Sequence, residues 1–128
     1  EAAWLVRLPL RYLVARVGSA AAVAEAHPDC AVLATAAWEG TLLFALAGAS
    51  AKARFFAPAL GVPEDPATGS AAVALAGALA FDGRAEGALA IYQGDEVGAP
   101  SRLDLEWGGG IASVGGTVCR DEVRLLEI

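Results

Sequence analysis

The sequence predicts an α+β fold in which a mixed, mostly antiparallel sheet curls around one central apolar helix. Most of the 128 residues fall into short segments rich in β-branched and large apolar side chains, a composition that favours strands. Among these segments lies one longer apolar run, residues 71–81 (AAVALAGALAF), which contains no charged residue. A helix that is apolar on every side must be buried on every side, and we expect the sheet to bury it.

The individual elements are separated by recognisable turn and capping residues. A short helix is predicted over residues 19–27, framed by Ser19 at its N-cap and by Pro28 beyond its end. A loop is predicted over residues 57–68, and the central helix follows over residues 69–81, where an Asp-Gly pair stops it. The strand-like segments are residues 4–9, 11–17, 30–37, 41–46, 88–92, 102–107, 111–118 and 122–128, and residues 52–56 extend or follow that sheet.

Composition narrows the class of protein. The length suits a single domain over residues 1–128, and 56% hydrophobic residues are enough to build a core. A formal net charge of -6 argues against nucleic acid and against an anionic membrane surface as partners, and we expect a cytoplasmic protein. Cys30 and Cys119 are expected to be buried free thiols, with a disulfide as the alternative. Because the sequence begins with Glu1 and contains no Met, we interpret it as a piece of a longer protein.

The junction between the loop and the central helix carries the candidate chemistry. Backbone N–H groups at a helix N-terminus lack partners within the helix, and the helix dipole favours an anion there. Ser70 could add a hydroxyl donor to a bound carboxylate, and Gly69 permits a close approach. Asp65, as a carboxylate, suits an acceptor that orients a substrate ammonium or hydroxyl. The purely structural alternative is that Asp65 caps a turn while Thr68 or Ser70 caps the helix.

Three stretches carry a family resemblance. Residues 54–79 (RFFAPALGVPEDPATGSAAVALAGAL) resemble the signature of the PhzF-like isomerases, named for phenazine biosynthesis and similar in fold to diaminopimelate epimerase. Residues 92–107 (YQGDEVGAPSRLDLEW) resemble the family's next block, Q-G-x-E-x-G-R-P-S followed by a strand. Residues 114–128 resemble its closing strands, and residues 5–17 resemble the strands that open its second lobe. The resemblance covers nearly the whole chain, and EDPATGSA is its most specific part.

The resemblance implies a two-lobed enzyme of which this chain is the C-terminal lobe. Each lobe would be a sheet wrapped around a central helix, with the active site in the cleft between the lobes. The implied reaction is cofactor-free proton transfer, as an isomerase or epimerase, on a small carboxylate-bearing substrate. By this matching Asp65 is the catalytic candidate, and Thr68, Gly69 and Ser70 are the substrate-binding candidates. No metal site and no cofactor are implied.

The chain also departs from the family pattern. The family's acid/base glutamate and its G-H-x-T segment belong to the first lobe and are absent here, so the missing N-terminal lobe is an expected partner. Ala99 stands where the family usually has Arg, and Arg102 is the nearby candidate to replace it. Two other hypotheses stay open: a non-catalytic module that binds a small anion or associates with itself, and a homodimer of two such lobes that rebuilds the cleft.

Four further side chains have two interpretations each. Arg54 could position a ligand, although a solvated charge at a strand edge is the favoured interpretation. Glu64 could act with Asp65 in acid/base chemistry, although an acid that points to water is favoured. Gln93 could stabilise a turn or line the cleft, and His27 is expected to be a solvated residue at a helix end.

Overall fold

A computed structural model describes residues 1–125 and 127 of the chain. Most elements are strands that follow one another directly, and the few helices lie in the connections, as expected for an α+β fold. The strands are β1 (Ala2–Arg7), β2 (Arg11–Arg16), β3 (Gly40–Ala47), β4 (Ser50–Ala57), β5 (Val62–Asp65), β6 (Gly87–Gln93), β7 (Ser101–Gly108) and β8 (Ile111–Gly115). The helices are α1 (Ala20–Ala24), α2 (Cys30–Ala34) and α3 (Gly69–Phe81), and single 3-10 turns lie at Pro58–Leu60 and Asp95–Val97.

Within the described residues the strands form one mixed sheet. Its order is β1-β2-β3-β4-β6-β7-β8, with β5 paired to β4 beside that path. The β2–β3 and β4–β6 pairs are parallel, and the other pairs are antiparallel. Each parallel pair is joined by a crossover that contains helices, α1 and α2 in the first and α3 in the second. The predicted mixed, mostly antiparallel sheet is confirmed.

Helix α3 packs against one face of this curled sheet, and its bounds match the prediction. Its Ala- and Leu-rich sequence favours helix formation, and small side chains let the strands approach closely. Seven of its residues are buried in the core: Ala71, Ala72, Ala74, Leu75, Ala76, Ala78 and Leu79. The core continues into the strands through Val14, Leu42, Phe44, Ile91 and Leu105.

The prediction that α3 is buried on every side is wrong for one stripe. Gly77 and Ala80 are exposed, and Phe81 keeps 85% of its surface in solvent. The physical reason is the strand order, because β1 and β8 form the two edges of the sheet and are not paired with each other in the described residues. A groove of about 250 Å³ therefore remains over the stripe, lined in part by Val6, Val73, Gly77, Trp107 and Ile111.

Residues 30–37, predicted as a strand, instead begin with helix α2. Asp29 takes an extended backbone, and its side chain accepts hydrogen bonds from the N–H groups of Ala31 and Val32 at 3.0 and 3.1 Å. That N-cap outweighs the apolar pattern, which does not distinguish a short strand from a short helix.

Two other local predictions also need correction. The predicted loop over residues 57–68 contains a 3-10 turn and the short strand β5, which pairs with β4. The predicted strand over residues 111–118 ends at Gly115, and residues 122–125 form no strand. The last predicted strand also includes residues 126 and 128, which lie outside the described residues.

The prediction for Cys30 and Cys119 is confirmed in part. Cys30 and Cys119 are free thiols as expected, but both are exposed rather than buried. Cys30 lies in the first turn of α2, whose residues are not part of the core. In the part of the chain that the structure describes, no helix has the length and apolar character needed to cross a membrane.

Candidate active site

Asp65 and Thr68 are joined by a hydrogen bond at the start of α3. Asp65 is the last residue of β5, where its backbone pairs with Phe55 of β4. The Thr68 hydroxyl donates to Asp65 Oδ2 at 2.6 Å. Thr68 occupies the N-cap position of α3, yet its side chain makes no capping bond to the helix. Its hydroxyl is used to hold the Asp65 carboxylate.

The side chain of Gln93 stabilises the loop that contains Asp65 and Thr68. Its side chain is buried, and Nε2 donates to the Asp65 carbonyl oxygen at 2.6 Å and to Thr68 Oγ1 at 3.1 Å. Thr68 Oγ1 thus accepts a hydrogen bond from Gln93 and donates its own proton to Asp65. The structure favours the interpretation of Gln93 as a structural residue, and the loop it supports is the one that presents Asp65.

The N-terminus of α3 offers unpaired backbone donors. The first backbone bond of the helix runs from Ala72 N–H to Thr68 O at 3.1 Å. The N–H groups of Gly69 and Ser70 precede the helical ladder on exposed residues and are available to a bound anion, whereas Ala71 is fully buried. A Cβ on Gly69 would meet no atom within 4 Å, so the space beside this residue is open.

Tyr12 is a residue of this cluster that sequence reasoning missed. It lies at the start of β2, is almost fully buried, and donates its phenolic proton to Ser70 Oγ at 3.0 Å. A single Tyr in an apolar strand is indistinguishable from an ordinary core residue when only the sequence is known. Fifty-eight positions separate it from Ser70, and only the fold brings them together.

The predicted residues Asp65, Thr68 and Ser70 line one cavity of about 250 Å³ together with Tyr12. The rest of its lining is apolar: Leu10, Phe55, Ala57, Leu60 and Val62. Leu60 and Val62 are substantially exposed, so the cavity opens to solvent on an apolar rim. An apolar cavity with a few converging polar groups is the usual form of a small-molecule site.

Arg54 and Glu64 differ from the favoured prediction, since neither is solvated. Arg54 Nε and Nη2 donate to the two carboxylate oxygens of Glu64 at 2.7 and 3.0 Å, and both side chains are largely buried. The hydrogen bond from Arg54 to Glu64 raises the pKa of the Arg54 guanidinium. Neither residue lines the cavity at Asp65, so they support the site without forming part of its wall.

The remaining candidates lie apart from the cavity. His27 is exposed as predicted, and its Nδ1 contacts the carbonyl of Glu25 at 2.6 Å. Arg102 is exposed and pairs with Asp104 two residues away, with Nη2 at 2.9 Å from Oδ1. The Ala99 N–H bonds to Gly94 O at 3.0 Å, within the turn that follows Gln93.

Comparison with known proteins identifies the family. The family model described as phenazine biosynthesis-like protein matches residues 7–115, and the chain therefore belongs to that family. A trans-2,3-dihydro-3-hydroxyanthranilate isomerase from Pseudomonas chlororaphis is 42% identical over 95 residues, which cover 73% of this chain and 34% of that protein. An uncharacterized isomerase from Deinococcus radiodurans is 46% identical over 59 residues, covering 42% of this chain and 19% of that protein. The chain spans about a third of the length of the first of these relatives.

Solved structures support the fold. The crystal structure of a PhzF-family phenazine biosynthesis protein from Enterococcus faecalis superposes with a TM-score of 0.64 at 23% identity, covering 88% of this chain and 44% of that one. A PhzC/PhzF protein from Clostridium difficile gives a TM-score of 0.59 at 21% identity, covering 87% and 47%. In both cases this chain matches slightly less than half of the solved chain.

Proposed function

We propose that this chain is the C-terminal lobe of a cofactor-independent isomerase or epimerase that moves a proton on a small carboxylate-bearing substrate. The observation that carries the proposal is the convergence of Asp65, Thr68 and Ser70 in one cavity at the N-terminus of α3. Family membership, and the isomerase names of the relatives, support the reaction class. The acid/base group belongs to the other lobe in this proposal, since the substrate would lie between the two.

The geometry gives each residue a separate task. The amides of Gly69 and Ser70, with the Ser70 hydroxyl, would bind the substrate carboxylate through charge-assisted hydrogen bonds. Asp65 Oδ2 is occupied by Thr68, which leaves Oδ1 to accept a hydrogen bond from a substrate ammonium or hydroxyl group. The carboxylate and this second group are thereby fixed at two points, which orients the carbon that loses or gains the proton.

A rate assay on the complete gene product tests the proposal. Isomerisation of trans-2,3-dihydro-3-hydroxyanthranilate in D₂O, followed by NMR, reports turnover and solvent deuterium incorporation together. Ser70→Ala and Asp65→Asn should each lower kcat/KM about tenfold to hundredfold, the effect of removing one hydrogen bond to a charged group. Ser113→Ala, on the exposed β8, and Asp82→Asn, at the other end of α3, are the matched controls.

A self-associating or anion-binding module is the second candidate. The exposed apolar side chains of Leu5 and Phe81 favour self-association, because both border one groove beside α3. Under this candidate the complete gene product binds a small carboxylate but shows no deuterium incorporation with any carboxylate tested. Unchanged kcat/KM in both site variants would instead reject the assignment of Asp65 and Ser70.

A further inference from the structure

Tyr12 is the polar residue of the cavity that the proposed function leaves without a task. Its side chain is 4% exposed, and a buried phenol requires a hydrogen-bond partner. The partner is Ser70 Oγ, at 3.0 Å. This contact joins β2 to the first turn of α3 at the point where the substrate carboxylate would bind.

The surroundings of Tyr12 hold its ring in one place. The ring packs against that of Phe55, with centroids 5.9 Å apart and planes inclined by 44°. Gly40, the partner of Tyr12 in the parallel β2–β3 ladder, leaves room for both rings. A Cβ on Gly40 would lie 2.7 Å from Phe55 Cε2 and 3.1 Å from Tyr12 Cδ1. The position of the hydroxyl is therefore set by packing rather than by a free rotamer.

The count of donors decides what this contact does. A serine hydroxyl has one proton and can give it to one acceptor only. If Ser70 donated to Tyr12, the Ser70 proton would not be available to an anion, and only the phenol proton of the buried Tyr12 would remain. A phenol, with a pKa near 10, is a better donor than an aliphatic hydroxyl, and a hydroxyl that accepts a hydrogen bond becomes a stronger donor itself. The order Tyr12 to Ser70 to anion therefore leaves the free proton on Ser70, the exposed residue of the pair.

We propose that Tyr12 is a positioning residue that fixes the direction in which the Ser70 hydroxyl donates to the substrate carboxylate. The inference rests on the proposed carboxylate site at the N-terminus of α3. It assigns Tyr12 no direct contact with substrate, so its effect must pass through Ser70. That condition separates it from a general structural role.

A double-mutant cycle on the complete gene product tests this condition. The probe is anthranilate, an aromatic amino carboxylate that cannot isomerise, with its affinity measured by calorimetry. We expect Tyr12→Phe to weaken binding about threefold to tenfold, the size of one neutral hydrogen bond. In a Ser70→Ala background the same change should alter the affinity less than about twofold. Tyr92→Phe, which removes a phenol from a half-exposed position on β6, is the matched control and should leave binding unchanged.

The outcomes separate this inference from the proposed function. The inference is overturned if Tyr12→Phe lowers the anthranilate affinity equally with and without Ser70, or does not lower it at all. It is also overturned if the wild-type protein does not bind anthranilate. Binding loss that depends on Ser70, in a protein that does not isomerise trans-2,3-dihydro-3-hydroxyanthranilate, upholds the role of Tyr12 and rejects the isomerase on that substrate. If the protein isomerises the substrate but Tyr12→Phe and Ser70→Ala have additive effects on affinity, the isomerase is upheld and the role of Tyr12 is rejected.

Discussion

Arg54 meets Glu64 through two parallel hydrogen bonds, from Nε to Oε1 at 2.7 Å and from Nη2 to Oε2 at 3.0 Å. Its third nitrogen, Nη1, donates to the carbonyls of Val23, Ala24 and Ala26 at the end of α1, at 3.3, 3.1 and 2.8 Å. One guanidinium therefore connects β4, β5 and α1. Since Glu64 directly precedes Asp65 on β5, this connection also anchors the strand that presents the proposed catalytic carboxylate.

Glu64→Gln should destabilise the protein strongly. The change removes the carboxylate that pairs with a largely buried guanidinium, leaving Glu96 at 4.0 Å from Nε, and replaces one acceptor by a donor. We expect the free energy of unfolding to fall by about 2–4 kcal/mol, as measured by urea denaturation. Glu122→Gln is the control, because the Arg124–Glu122 pair has the same groups at 80% and 73% exposure and should contribute almost nothing. Equal stability of the two variants would refute the role of Arg54.

Gly94→Ala should disturb the candidate site, although Gly94 lies outside the cavity. Gly94 has a φ of 96°, and a Cβ there would lie 2.8 Å from the Pro66 carbonyl oxygen, with Ala99 O closer still. Relief of that contact must move the turn after Gln93 away from the Asp65–Thr68 loop. We expect a loss of about 2–4 kcal/mol in unfolding free energy together with weaker anthranilate binding.

Gly48→Ala separates the cost of a positive φ from the cost of the close contact with Pro66. Gly48 also has a positive φ, 60°, but a Cβ there would meet nothing within 4 Å. Its substitution should cost about 1 kcal/mol, the conformational penalty alone, and leave binding unchanged. If Gly94→Ala changes the unfolding free energy and anthranilate binding no more than Gly48→Ala does, the close approach to Pro66 has no consequence.

Asp29→Ala should loosen α2. The Asp29 side chain accepts from two N–H groups of the first turn, and loss of an N-cap costs about 1 kcal/mol. Unfolding free energy and amide exchange rates of residues 31–34 measure the effect, which should be confined to this helix. Asp121→Ala, in the exposed C-terminal segment, should change neither. Protection of residues 31–34 that survives Asp29→Ala would indicate a segment held by packing rather than by its cap.

Local signals predicted the central helix and half of the site. The Ala-rich run that begins at Gly69 predicts α3 by helix propensity, and Asp65 and Ser70 lie within five residues of each other. Tyr12 and Gln93 reach the same cluster across 58 and 28 positions, a distance over which periodicity carries no information. The candidate site was therefore predictable where it is local. Where strand pairing assembles it, sequence analysis named Gln93 as a turn or cleft residue without its partners and did not single out Tyr12.

Arg54 shows a second limit, because its environment depends on the other side of the sheet. Alternation along β4 places Ala53 and Phe55 toward α3 and Arg54 on the opposite face, which looks like a solvated position from sequence. Helix α1 covers that face with its C-terminal carbonyls, and Glu64 completes the pocket around the charge. The sequence shows a charged residue on an outer face but not the element that covers it.

Glu39 should titrate far below an ordinary glutamate. Hydrogen bonds from the Arg11 side chain and backbone lower its pKa from 4.5 to about 2. Folding therefore favours the carboxylate, so the pair stabilises the protein fully above pH about 4.5, and that contribution is lost as the pH falls toward 2. Both side chains contact solvent, at 46% and 25% exposure, and we expect a small effect on stability that salt weakens.

NMR titration of the Glu39 carboxyl carbon in wild-type protein and in Arg11→Gln measures the pKa of Glu39. The variant should return that pKa to near 4.5. An unshifted wild-type value would show that this contact, which flanks Tyr12 and Gly40, does not persist in solution.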